Sequence, residues 1–280
     1  MTITLENLTY VYGSRRYSKT AVENANAVIS PGIYVMLGEN GAGKTTLLQI
    51  IAGLRYPTSG QCLIDGAPTK YRLPSILAHT TFLGSEAVFP GATINEMVKI
   101  HAQFYPRFDP EMLANNLREF GLTGNEKLKF LSFGNRHKAM VAYMLSLRAE
   151  IALYDEPATG LDIESKEILR QLVAACTDET QTVIISTHNI DDLRALYDGA
   201  VIISDGKLLL VSSAERISRS LSFISSKEAI DGALYVEPYG PMFNLIVPND
   251  GSSDTPIDYR MLYLALRSDK KNQILELINR

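Results

Sequence analysis

Residues Gly38-Glu39-Asn40-Gly41-Ala42-Gly43-Lys44-Thr45 restrict the possible folds of this chain more than any other stretch. They follow Ile33-Tyr34-Val35-Met36-Leu37, an unbroken apolar run, and precede a helical pattern carrying Leu47, Leu48, Ile50 and Ile51. An apolar run without polar alternation suits a central strand covered on both faces. Strand, glycine loop and helix in that order form a phosphate-binding unit. The glycines let backbone N–H groups turn inward around phosphate oxygens, where the helix dipole favours negative charge. In that pattern Lys44 reaches the β- and γ-phosphates, and the Thr45 hydroxyl ligates Mg2+. The four fixed positions recur by chance in roughly one chain in a hundred of this length, so the flanking strand and helix carry the decision.

The rest of the chain alternates in texture. Strand patterns cover Ile3 to Val11 and Ala25 to Ile29, the second ending at a Pro31-Gly32 turn. From about Thr93 to Arg148 the pattern is helical, with Met112, Leu113, Leu117 and Phe120 on one stripe and Met140, Val141, Met144, Leu145 and Leu147 on another. Strand and helix then alternate again through Ile151–Tyr154, Ile163–Ala175 and Thr182–Ser186. Val201–Ile203 and Lys207–Val211 flank Asp205-Gly206, a strong hairpin signal. Near Ser212 the composition shifts toward serine. Short strand-like pieces follow at Leu234–Val236 and Phe243–Val247, then an exposed loop at Pro248–Ser253 and a closing helix over Asp258–Leu266.

A second chemical signal stands apart from the first. The apolar strand Ile151-Ala152-Leu153-Tyr154 runs into two carboxylates, Asp155 and Glu156. In P-loop proteins an acid at this strand end holds the metal, the role expected of Asp155. Glu156 beside it is suited to orient and polarise an attacking water.

With these residues in view, the chain resembles the ATP-binding subunits of ABC transporters. Leu131-Ser132-Phe133-Gly134-Asn135 stands where that family carries its LSGGQ signature. Asp155-Glu156-Pro157-Ala158-Thr159-Gly160-Leu161-Asp162 is similar to the Walker B and D-loop run, and Ile184-Ile185-Ser186-Thr187-His188 to the strand before the switch histidine. Order and spacing agree over about residues 1–210.

The resemblance implies an α/β P-loop NTPase with a RecA-like core, an N-terminal antiparallel β subdomain, an inserted helical subdomain at about 86–148 and a small α/β extension at 213–280 after a nucleotide-binding domain at 1–212. It implies ATP and Mg2+ as ligands, with Gly38, Asn40, Gly41, Gly43, Lys44, Thr45 and Thr46 holding phosphate and Thr45 and Asp155 the metal. Glu156 and His188 are the implied catalytic residues, His188 sensing the γ-phosphate. Tyr12 is the implied adenine-stacking aromatic, with a plain strand aromatic as the alternative. Ser132 and Gly134 would bind the nucleotide of an opposite subunit, and Asp162 would touch that subunit.

Two departures stand out. The signature has Phe133 and Asn135 where glycine and glutamine are usual, while its serine and second glycine are kept. No glutamine lies between Gln61 and Gln103, so the Q-loop position falls to Gly84, Ser85 or Glu86.

Composition narrows the setting. Lys and Arg number 27 against 31 Asp and Glu, a net charge of −4, which argues against a dedicated nucleic-acid partner. No apolar run approaches the roughly 18–20 residues of a membrane helix, and the N-terminal residues lack a signal-peptide pattern. Cys62 and Cys176 sit in apolar surroundings and are expected to be reduced thiols. The expected setting is cytoplasmic, at the inner face of the membrane through an integral permease subunit, as a homodimer or with a related second ATPase subunit. An exporter ATPase is the first reading and an importer ATPase the second. Soluble non-transport relatives of the DNA-repair type need long coiled coils between P-loop and signature, for which there is no room. Translation-factor relatives carry two nucleotide domains.

Overall fold

The computed structural model describes residues 1–14, 17–84, 92–188, 196–249, 251 and 255–279. Two long strands, β1 (Ile3–Ser14) and β2 (Tyr17–Ile29), precede β3 (Gly32–Leu37) and the helix α1 (Lys44–Ile51). Strands β4 (Ser59–Ile64) and β5 (Ala67–Pro68), a short helix α2 (Pro74–Leu77) and strand β6 (Thr80–Leu83) come next. Helices α3 (Ile94–His101), α4 (Pro110–Glu119) and α5 (Phe133–Ser146) separate β6 from β7 (Ile151–Asp155). Then follow α6 (Ile163–Cys176), β8 (Thr182–Thr187), β9 (Gly199–Ser204) and β10 (Lys207–Ser213). The remaining elements are α7 (Ala214–Ser220), β11 (Leu221–Ser226), β12 (Tyr235–Tyr239), β13 (Met242–Pro248), α8 (Tyr259–Ala265) and α9 (Lys271–Asn279).

The central sheet has the order β10-β9-β3-β8-β7-β6. Its inner strands are parallel, and β10 closes one edge antiparallel to β9. Alternate residues of a strand face opposite sides, and here both sides are dry. Tyr34, Met36, Leu153, Ile184 and Val201 join one apolar cluster with α1 and the N-terminal sheet β2-β1-β4-β5. Val35, Leu37, Ala152, Tyr154, Ile185 and Ile202 join a second cluster with α5, α6 and the C-terminal elements. That two-sided burial is why these strands read as continuous apolar runs.

Helix starts are specified by side chains. The carboxylate of Asp109 accepts N–H bonds from Glu111 and Met112 ahead of Pro110, and Thr93, Ser132, Asp162, Ser213 and Asp258 cap α3, α5, α6, α7 and α8 in the same manner. The Asp205-Gly206 turn joins β9 to β10 as expected, with both residues at positive φ (48° and 78°).

The structure also corrects the sequence reading. Strand β2 begins at Tyr17, not Ala25, because pairing with β1 carries it through a half-exposed stretch where Lys19 faces Tyr12 and no apolar period shows. Strands β4 and β6 are additional. The helix expected to close the chain is followed by α9, whose Ile274 and Ile278 lie one turn apart and are buried. No helix among the described residues is long and apolar enough to cross a membrane. Both cysteines are free and buried.

The C-terminal elements share the main core. Ile217, Leu221, Leu262, Ala265, Leu266 and Ile274 have no exposed surface and belong to the same cluster as Val35 and Ile202. Leu262→Ala should therefore cost about 2–5 kcal/mol through lost burial and the cavity left behind, read from the midpoint of urea unfolding. A cost below 1 kcal/mol would show that the extension contributes little to the core.

Candidate functional site

The loop after β3 is held from behind by backbone. An ideal Cβ on Gly43, which sits at φ 112°, would lie 2.1 Å from the carbonyl oxygen of Ala21 in β2. One on Gly38 would lie 2.6 Å from the carbonyl oxygen of Ile203 in β9. Only glycine fits against both strands, so the loop is wedged between them and its remaining face opens to a cleft. Tyr12, Lys19, Asn40, Gly41, Gly43, Lys44, Thr45, Thr46, Asp155 and Glu156 line that cleft, together with Ala21 and Glu39.

Lys44 folds over the loop, its Nζ donating to the carbonyls of Gly38 (2.7 Å) and Glu39 (3.3 Å) and lying 3.9 Å from Glu156 Oε1. Burial lowers its pKa below the usual lysine value, while the carboxylates of Glu156 and Asp155 act in the opposite direction. Asp155, at the end of β7, is almost completely buried. A buried carboxylate is costly unless hydrogen-bonded. Here Thr45 Oγ1 donates to one oxygen at 2.7 Å and Ser186 Oγ to the other at 2.6 Å. The end of β7, strand β8 and the start of α1 thus meet at one carboxylate.

Glu156 follows with φ 55°, a left-handed conformation that is costly away from glycine by about 1–3 kcal/mol. Its N–H is held by the Ser186 carbonyl (3.2 Å) and hydroxyl (3.0 Å), so β8 enforces the turn. The turn presents the carboxylate to the cleft, where His188 Nδ1 lies 2.7 Å from Oε2. Tyr12 enters from β1. Its hydroxyl is 2.9 Å from that of Thr46, and the Arg55 guanidinium occupies a ring face at 4.8 Å from the centroid.

The signature and D-loop residues gather at a second place. The Ser132 hydroxyl accepts the Asn135 N–H at the start of α5 (3.2 Å), and Gly134 lies so close to the Gly160 carbonyl that a Cβ would stand 2.9 Å from it. The ring of Phe133 covers Gly160 on one side and stacks on His137 on the other, with ring centroids 6.0 Å apart. Asp162 Oδ1 accepts from the Ser165 N–H (2.8 Å) and hydroxyl (2.6 Å), and Oδ2 lies 3.4 Å from Lys138 Nζ. The Ser165 bonds, with the Lys138 charge, hold the Asp162 carboxyl down to about 2. None of Ser132, Gly134 and Asp162 lines the cleft.

Of the expected Q-loop positions, Gly84 follows β6 and has no side chain to supply a ligand, while Ser85 and Glu86 lie outside the described residues. Sequence reasoning missed Lys19 and Arg55, which no motif marks, and gave Ser186 no role of its own although it stands within the quoted run before His188.

A glycine loop between a central strand and a helix, facing two acids at the end of β7, one strand removed from β3, defines a P-loop nucleotide-binding protein. The comparisons narrow the class. A family description, "ABC transporter", matches residues 22–159. The ABC transporter ATP-binding protein NatA of Bacillus subtilis (strain 168) is 29% identical over 243 residues, spanning 82% of this chain and 99% of its own length. The energy-coupling factor transporter ATP-binding protein EcfA2 of Thermotoga maritima is 31% identical over 215 residues, 74% of this chain and 81% of its own. An ATP-binding cassette solved as a dimer in a post-hydrolysis state with ADP and Pi matches with TM-score 0.65 at 27% identity, covering 75% of this chain and 98% of that one. A putative cobalt transport ATP-binding protein, 24% identical, shares the fold over 98% of this chain and 99% of its own, with TM-score 0.68. The chain belongs to the ABC transporter family as an ATP-binding subunit, an ATPase.

If Lys44 serves as a charged phosphate donor, Lys44→Ala should weaken ATP binding about 10- to 100-fold, a loss of roughly 1.5–3 kcal/mol. Titration calorimetry that returned an unchanged affinity would contradict the assignment of the cleft.

Proposed function

We propose that this chain is the energy-supplying subunit of a transporter whose membrane-spanning part is a separate permease, and that it works as a dimer at the inner face of the membrane. The observation that carries the reading is the convergence of Lys44, Thr45, Asp155 and Glu156 on one cleft. Residues 1–212 form the nucleotide-binding unit in this proposal, with helices inserted over about 86–148, and residues 213–280 are its extension.

In the proposed site the N–H groups of Gly41, Gly43 and Lys44 cradle phosphate and Lys44 exchanges its loop carbonyls for phosphate oxygens. The oxygen pair Thr45 Oγ1 and Asp155 Oδ2 fits a hard cation such as Mg2+ that takes few protein ligands. Such a cation neutralises phosphate charge when bound. Glu156 orients the attacking water and accepts its hydrogen bond, and His188 steadies the Glu156 carboxylate. Tyr12 offers the ring face opposite Arg55 to the base.

The finer reading is export, following the sequence resemblance and its C-terminal α/β extension. Import is the second reading, favoured by likeness to the energy-coupling factor protein and to a ribose import ATP-binding protein of Rhizobium etli. ATPase activity stimulated only when a neighbouring solute-binding protein is added to the chain and its permease would overturn export.

Two variants probe the chemistry. Glu156→Gln keeps shape but removes the charge that polarises water, so turnover should fall about 100-fold or more while ATP binding persists. Light scattering should then report an ATP-stabilised dimer, whereas near-normal hydrolysis would move the base elsewhere.

Separation of the signature from the cleft motivates the second. Ser132→Arg should leave monomer ATP binding intact and abolish ATP-driven dimerisation and hydrolysis. A serine that only caps α5 would instead lose about 0.5–2 kcal/mol of stability and keep its turnover. Mixing Ser132→Arg with Lys44→Ala subunits should restore part of the activity, since such a dimer retains one intact P-loop facing one intact signature. Mixed dimers that form and remain inactive would exclude a shared site.

A further inference from the structure

The extension touches the phosphate loop through Arg267. Tyr259 packs edge-on against Tyr197 and its hydroxyl donates to the Tyr197 carbonyl (3.4 Å), while Leu262, Ala265 and Leu266 are fully buried, so α8 is fixed on the core. Arg267 follows directly, its N–H bonded to the Leu264 carbonyl at 3.1 Å. Its guanidinium donates to the Glu39 carboxylate and to the Tyr263 hydroxyl (3.2 Å), and lies 5.4 Å from the centre of the Tyr263 ring. The two bonding partners, Arg267 and Glu39, are 228 positions apart.

Glu39 is not an ordinary surface acid. It is the second residue of the phosphate loop, and its carbonyl accepts from the Ala42 N–H (3.0 Å) and from Lys44 Nζ (3.3 Å). It also lines the cleft. A free carboxylate there would face a nucleotide polyphosphate that stays net negative even with one Mg2+ bound, and like charges at short range repel even in water. Arg267 cancels that charge without entering the cleft.

We propose that Arg267 is a positioning residue for nucleotide binding: it holds Glu39 away from the phosphates and neutralises it, so that the extension at 213–280 sets the affinity of the P-loop for ATP. The proposal rests on the cleft being the ATP site. Both side chains are exposed, so the pair's direct contribution to folding is small. Its effect lies in what an unpaired Glu39 does to an incoming anion.

The test uses the full chain, a fluorescent ATP analogue with Mg2+, and titrations at low and high salt. Arg267→Met keeps the apolar stem and should weaken binding about three- to tenfold at low salt, with the gap narrowing at high salt as screening removes the repulsion. Arg267→Lys should stay within about twofold of wild type, because the charge remains. Adding Glu39→Gln to Arg267→Met should restore affinity, since the carboxylate that repels is gone. Wild-type affinity in Arg267→Met, or a double variant as weak as the single one, overturns the proposal. The second result would assign the loss to damaged packing of α8. If Arg267→Met does not fold, Arg267→Gln with and without Glu39→Gln gives the same comparison. A wild-type chain that binds no nucleotide would instead overturn the ATP reading of the cleft, and this inference with it.

Discussion

The carboxylate of Asp155 is the junction on which the site depends. It lies at the end of β7, takes one hydroxyl from Thr45 after β3 and another from Ser186 on the strand between them. Parallel order β3-β8-β7 sets the end of β7 beside β8 and near the helix that follows β3, and a buried anion there requires the donors that Ser186 and Thr45 supply. The loop is then registered against the acids from the front and against Ala21 and Ile203 from behind. Glu156 inherits its strained turn from the same place, because the Ser186 residue that satisfies Asp155 also holds the Glu156 N–H.

Much of this was legible because dry sheets and phosphate loops have strict local grammars. Ile33–Leu37 and Ile151–Tyr154 are apolar throughout since both their faces are covered, and the loop glycines are needed where backbone approaches within contact distance. Elements with mixed faces were harder to see. Strand β6 has four residues and β4 begins with Ser59-Gly60-Gln61, so neither shows enough periodicity to stand out. Helix α9 packs Ile274, Leu275, Leu277 and Ile278 into nine residues, too short a stretch for a helical period to show. The approach of Arg267 to Glu39 has no local signal at all, because a pair of opposite charges so far apart in sequence resembles any other pair.

Phe133 illustrates how a departure from a motif can be absorbed. A ring in place of the usual glycine has to go somewhere, and here it lies over Gly160, where a Cβ would collide with it, and against His137. Together with the Lys138–Asp162 bridge, this ties the start of α5 to the segment before α6. The two motifs are therefore in direct contact.

The shared core also has a consequence for biosynthesis. Strand β9 lies beside β3 in the sheet, yet α7 packs against it and the apolar residues of α8 and α9 complete the same core, and all three are made later. Until those later elements leave the ribosome, Ile202 and its neighbours lack part of the apolar cover they have in the finished core, and the growing chain presents hydrophobic surface. The nascent chain therefore has apolar surface to shield until its last helices are made.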